Sequence, residues 1–306
     1  LVTLGTMFAV LAAVTLVTGG LAQVLFGDLF SAVGWAVVLL ASVVAVLVLG
    51  RFSVLDRLIK VLVVVLAVST TVAFALAWAG RAPGPVEAPP VVFDGRTLAF
   101  VVALLGWMPT GMDAAAWHSL WTLERWRQTG HRPSWSEARL DFNVGYIGTC
   151  LMALAFLSLG ALILRPSGQP VPAGAGGFAT TLVEVYTSTL GDWSRPVILV
   201  AAFTTMASTV LAVSDGFPRA LARVRGLLDG SGRAEPASYW IALAVLVAGA
   251  LVLILYLRDQ FTRLIDLATT LSFLTAPLLG YLNLRAVTSP SSPAARPPTS
   301  PIRAAR

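Results

Sequence analysis

Eight apolar stretches, each long enough to cross a lipid bilayer as a helix, leave this chain few folds to adopt. A hydrocarbon core about 30 Å thick calls for about 20 apolar residues of helix. The stretches cover roughly 1–26, 31–50, 59–80, 98–121, 142–165, 195–215, 237–257 and 264–286. Each is apolar on all sides and lacks the in/out alternation of a barrel strand. The sequence therefore predicts an all-α polytopic membrane protein with eight transmembrane helices. A transmembrane domain occupies 1–287, and a Ser-, Pro- and Arg-rich tail over 288–306 reads as disordered and cytoplasmic.

Composition matters where it excludes alternatives. Charged residues make up 12% of the chain, against about 25% in soluble domains, too few to cover a water-exposed surface. The net charge of +6 raises the question of nucleic acid. The basic residues nevertheless fall in short runs between apolar blocks and form no basic face. The expected partner is the lipid bilayer, whose anionic surface attracts basic loops, and no nucleic acid or obligate protein partner is expected. The single cysteine, Cys150, lies in an apolar run, which excludes a disulfide framework and a cysteine-based metal site. Leu1 stands inside an apolar run with no basic segment before it, which reads as a fragment beginning within a helix rather than a signal peptide.

Loop charge gives an orientation. The loops after the second, fourth and sixth stretches, with the tail, carry 15 of the 21 Lys and Arg residues. By the positive-inside rule these face the cytoplasm of a bacterial inner membrane, and the C-terminus lies inside. Trp35, Trp78 and Trp193 then fall near outer ends, and Trp121 and Trp240 near inner ends, as in an aromatic belt. Residues 81–96 read as an irregular outer loop, and 178–193 as a short interfacial helix on the outer side.

The fourth stretch holds the densest chemistry. Its run Gly106-Trp107-Met108-Pro109-Thr110-Gly111-Met112-Asp113 places two glycines, a proline and an acid at mid-membrane depth. Proline removes a helical hydrogen bond and costs about 3 kcal/mol, and glycine adds about 1, so the helix is expected to unwind there. Unwound backbone at that depth belongs in protein or against a cavity, and transporters use such breaks as ion sites. Asp113 at the break costs about 2.5–3.5 kcal/mol on insertion scales and calls for a partner. The expected metal contacts are Asp113 with Pro109, Thr110, Gly111 and Met112. His118 is a candidate for a proton path, because imidazole changes charge near neutral pH. Thr204, Thr205, Asp266 and Thr269 are candidates for the proton path or the surroundings of the site. Ser208, Thr209 and Thr270 extend these polar stripes, which serve equally well as glue between helices. Asp141 and Asn143 open the fifth stretch, where a helix N-terminus favours an acid. No GxxxxGK[ST] loop and no HExxH zinc motif occurs, so neither an enzyme nor a bound cofactor is expected.

Gly106-Trp107-Met108-Pro109 with Asp113, followed by Trp117-His118-Ser119-Leu120-Trp121-Thr122-Leu123-Glu124, resembles the sixth transmembrane helix of NRAMP-type divalent metal transporters, most closely a prokaryotic branch. Asp141-Phe142-Asn143-Val144-Gly145-Tyr146-Ile147-Gly148-Thr149 is similar to the seventh helix of that branch. Thr187-Ser188-Thr189-Leu190-Gly191, with Ala202-Phe203-Thr204-Thr205-Met206, is similar to the eighth. The resemblance implies a LeuT-like fold of two inverted five-helix repeats. The eight stretches then correspond to helices three to ten, with helices one and two, and the Asp and Asn that the first supplies to the metal, missing. Family members carry Met-Pro-His in helix six. Aligned without gaps on His118-Ser119, Gly111 takes the place of that Met and Asp113 that of the His. Loss of a thioether and gain of a carboxylate shifts preference towards harder cations such as Mg²⁺, Ca²⁺ or Mn²⁺. The resemblance implies proton-coupled secondary uptake of a divalent cation. A LeuT-fold carrier of a small organic solute and a non-transporting membrane scaffold or sensor are the alternatives.

Overall fold

The computed structural model describes residues 2–49, 53–80, 93–108, 110–112, 114–164, 172, 174–230, 235–257 and 260–289. Among these, helix is the only regular structure. The helices are α1 (Val2–Phe26), α2 (Ala32–Leu49), α3 (Ser53–Ala79), α4 (Gly95–Trp107), α5 (Ala114–Thr129), α6 (Trp135–Leu159), α7 (Ala175–Leu190), α8 (Arg195–Leu228), α9 (Pro236–Leu257) and α10 (Phe261–Thr288). Six are long and apolar enough to cross a bilayer: Thr6–Phe26, Ala32–Leu49, Trp135–Leu164, Asp192–Leu228, Pro236–Leu257 and Thr262–Thr288. Two shorter apolar stretches, Val63–Ala79 and Thr97–Trp107, lie in α3 and α4. The chain is a helical membrane-embedded protein.

Local chemistry sets the helix boundaries. The Asp94 carboxylate accepts from Thr97 N at 2.8 Å and starts α4. Ser134 and Glu137 form a capping box at α6, with Ser134 N donating to Glu137 Oε2 at 2.7 Å and Glu137 N to Ser134 Oγ at 3.2 Å. Gly191, at φ +92°, ends α7 in a conformation that a side chain would strain. With 34 residues, α8 is roughly 51 Å long at 1.5 Å per residue, well beyond a bilayer's hydrocarbon core.

The centre of the bundle is α1, which packs against α2, α7, α8, α9 and α10. Leu11, Ala12, Ala13, Thr15, Thr18 and Leu21 are fully buried, as expected of a helix apolar on every side. Two adjacent glycines seat it. A Cβ on Gly20 would lie 2.6 Å from the Ala175 carbonyl carbon, and one on Gly19 would lie 3.0 Å from Ala36 N. Lacking those carbons, α1 fits between α2 and α7.

Three expectations change. The 98–121 stretch is not one spanning helix but the pair α4 and α5, because the proline- and glycine-containing run between them leaves helical geometry. The Arg residues placed in loops largely sit on helices instead: Arg125 and Arg127 end α5, and Arg219, Arg223 and Arg225 ride on α8. The side chains of Arg125, Arg127, Arg223 and Arg225 are exposed, whereas that of Arg219 is half-buried against Asp215, so polarity did not mark a helix end. The 178–193 segment is helical but packs into the bundle against α1, α3 and α8, with Ala179, Val183 and Tyr186 buried. Tyr186 also shares a 2.8 Å hydrogen bond with Thr70 Oγ1. Residues 81–92 of the expected outer loop and 290–306 of the tail lie outside the described residues.

A cavity at the helix break

The two halves of the fourth stretch are fastened to different partners. α4 lies against α10, and α5 packs chiefly against α8. On α4, Gly106 presses on the Thr269 backbone so closely that a Cβ would collide with the Thr269 carbonyl oxygen. One residue on, Trp107 Nε1 donates to Ser272 Oγ at 3.0 Å. Met108 then leaves the helix at φ −101°, ψ 117°. The chain re-enters a helix at Ala114, whose N–H donates to Gly111 O at 3.1 Å, while Ala115 N donates to Met112 O at 3.3 Å. Pro109 and Asp113, both expected at the site, lie outside the described residues.

Beside this break is a cavity of about 200 Å³. Trp107, Thr110, Gly111, Ala114 and Trp117 form one side, Val10 and Val14 of α1 another, and Thr209 and Val213 of α8 the third. The wall is apolar with two hydroxyl-bearing residues, Thr110 and Thr209. Thr209 Oγ1 donates to Thr205 O at 3.1 Å.

The structure divides the expected site residues. Thr110 and Gly111 line the cavity, whereas Met112 is 39% exposed and lies near Gly280 of α10. Thr204 and Thr205 share a helix with Thr209 but are not in the cavity wall, and Thr205 Oγ1 is buried with no hydrogen-bond partner. Thr269 is buried at the Gly106 contact, its hydroxyl donating to Ile265 O at 2.8 Å. Asp266 is exposed. His118 is also exposed, with Nε2 3.9 Å from Asp141 Oδ2. It lines a second space of about 510 Å³ between α5 and α6, where His131 Nε2 stands 3.6 Å from Glu137 Oε2. Among the described residues, no group of three His, Cys, Asp or Glu side chains is placed to share a metal ion.

One constellation escaped the sequence reading. Asp215 of α8, largely buried, accepts four hydrogen bonds. Arg219 gives two, Nε to Oδ2 at 3.0 Å and a terminal nitrogen to Oδ1 at 2.8 Å. Tyr239 of α9 donates its hydroxyl to Oδ1 at 2.8 Å, and Trp121 of α5 its Nε1–H to Oδ2 at 2.8 Å. One turn before Trp121, the Trp117 ring meets Phe217 edge-on at 4.5 Å and lies over Gly216, where a Cβ would come within 2.7 Å of the indole. The available signal was an acid and an arginine four residues apart beside an apolar segment, a pair that meets on one helix face.

No family model matches the sequence, and no solved structure matches it. Uncharacterized protein PM0681 of Pasteurella multocida (strain Pm70) is similar to it, at 34% identity over 249 residues. The match covers 79% of this chain and 57% of that protein, so the chain spans little more than half the length of the relative.

Proposed function

We propose that the protein is a secondary transporter that moves a divalent cation across the membrane, resembling the NRAMP-like carriers. The observation that carries this reading is the cavity at the interrupted helix. Main chain leaves helical geometry there beside Thr110, Gly111 and Thr209. Such interruptions are tolerated at membrane depth where they line a cavity, and freed carbonyls and half-helix ends suit ions. In sequence, Asp113 directly precedes Ala114 of the cavity wall, and this reading assigns it the contact with the ion. Size favours an ion over an organic solute: the cavity holds about 200 Å³, whereas pockets for organic ligands run from about 300 to 1,000 Å³. The hydroxyls of Thr110 and Thr209 and the Asp113 carboxylate are oxygen donors, and Gly111 stands where the NRAMP-type carriers have a thioether, which favours a hard cation. In this reading transport is inward and proton-coupled, His118 serves the proton path, and the C-terminus faces the cytoplasm of a bacterial inner membrane. In this reading α4 and α5 are the two halves of the sixth helix of a LeuT-like arrangement.

The test is uptake of Mn²⁺ and Mg²⁺ into proteoliposomes by the product of the whole reading frame, compared with Asp113→Ala. Uptake of either ion that the variant loses while keeping its fold supports the reading. Absence of both fluxes, or a fully active variant, would return the organic-solute carrier or the scaffold.

A further inference from the structure

We propose that Asp215 is a latch: it holds the half-helix α5 against α8, and its release lets α5 swing and join the cavity at the break to the space beside α6. The inference rests on the transport reading for its purpose, a route for the ion past Trp117 and Trp121. Its geometry stands independently.

Three observations carry it. First, the described residues between α4 and α5, Met108, Thr110, Gly111 and Met112, are not helical, and the two halves are anchored to different helices, α4 to α10 and α5 to α8. Either half can therefore move without the other. Second, one side of α5 faces both spaces. Ala114 and Trp117 line the cavity at the break, while His118, Trp121 and Thr122 line the space towards α6. Positions three and four apart share a helix face, so the two tryptophans, with ring centres 6.1 Å apart, stand on the boundary. Third, the polar fastening is asymmetric. Trp121 gives Asp215 a single bond of 2.8 Å, whereas Arg219 and Tyr239 give it three. If Trp121 departs, the carboxylate keeps its counter-ion and three donors, and no buried charge is stranded. Stranding a charge is what makes most buried ion pairs costly to open; here opening costs one hydrogen bond and the packing of Trp117 against Phe217 and Gly216. Arg219 and Tyr239 thus hold Asp215 in readiness, and Trp121 is the part that engages and lets go.

The experiment uses the product of the whole reading frame in lipid nanodiscs, with Cys150→Ala removing the thiol of this chain and any cysteine outside it replaced likewise. Val213→Cys is the reporter, because Val213 is 4% exposed in the α8 wall of the cavity. The rate of its modification by a charged methanethiosulfonate reagent is measured with and without Trp121→Phe, which keeps an aromatic ring and removes the donor. The expected result is a rise of about tenfold, the shift that about 1.4 kcal/mol of lost bonding produces. Asp215→Ala gives a rise at least as large. Tyr239→Phe, which takes a bond from the same carboxylate but spares the α5 donor, leaves labelling slow. An unchanged rate in Trp121→Phe overturns the proposal. So does an equal rise at Ala250→Cys, in the fully buried α9 contact, which would mean the bundle had loosened as a whole. Labelling needs no flux, so failed uptake with released labelling removes the transport reading and leaves the latch, and the converse pattern does the reverse.

Discussion

The contact between Gly106 and Thr269 makes a quantitative claim about how closely α4 and α10 approach, and Gly106→Ala tests it. A Cβ there would stand 2.7 Å from the Thr269 carbonyl carbon and 3.2 Å from its Cα. Carbon atoms rest about 3.5–4.0 Å apart, so the helices must separate by about 1 Å. The bond from Trp107 Nε1 to Ser272 Oγ, now 3.0 Å, is one residue away and stretches beyond hydrogen-bonding range. Overpacking costs about 1–3 kcal/mol and the lost bond about 1, a loss of about 2–4 kcal/mol. Alanine returns about 1 kcal/mol of helix propensity, so an internal control is needed. Gly280→Ala on α10 provides one, because its new Cβ meets only the Met112 methyl at 3.8 Å, an ordinary contact. The propensity gain is common to both variants, and their difference isolates the collision. At about 2 °C per kcal/mol for a chain of this size, Gly106→Ala should melt about 4–8 °C below Gly280→Ala. Melting is followed in detergent by the surviving monodisperse fraction on size exclusion. If the two variants melt within about 1 °C of each other, a margin under the 2 °C expected per kcal/mol, α4 does not lie on α10 as described.

Three further outcomes are expected. Thr209→Val keeps the shape of the cavity wall but removes a hydroxyl, so KM for the transported ion rises several-fold while melting is unchanged; an unaltered KM would take Thr209 out of the site. His118→Gln lowers uptake driven by an imposed proton gradient, read as initial rate, and a rate identical to the parent's would leave His118 outside the proton path. Gly216→Ala drives a methyl to within 2.7 Å of the Trp117 indole and lowers stability by about 1–3 kcal/mol, visible in the same melting assay.

What the sequence showed depended on whether a signal was local. The apolar runs and the interruption at 106–113 are legible because bilayer thickness, proline and glycine act on consecutive residues. The capping chemistry of Ser134 and Glu137 is equally local, and helix α6 starts at Trp135, within the basic stretch that separates the fourth and fifth apolar runs. Which hydroxyls meet is a tertiary matter. Thr204, Thr205 and Thr209 look alike in sequence, and only the approach of α8 to α1 and α5 puts Thr209 in the cavity wall. Thr269 was singled out for its hydroxyl, but its backbone makes the close contact with Gly106. Of the donors to Asp215, Arg219 stands four residues on and is legible on one helix face. Trp121 and Tyr239, however, arrive from 94 residues before it and 24 after it, and no pattern on one helix announces them.

The central position of α1 has a consequence for the order of synthesis. Its partners α8, α9 and α10 begin about 170 to 235 residues downstream of its own end, which at about 5–20 residues per second is a wait of roughly 10–45 seconds. During that interval α1 sits in the membrane with α2 beside it but without the three later helices that complete its burial. Nascent chains stopped before Arg195 should therefore be recognised by membrane quality control, and chains stopped after Leu257 should escape it.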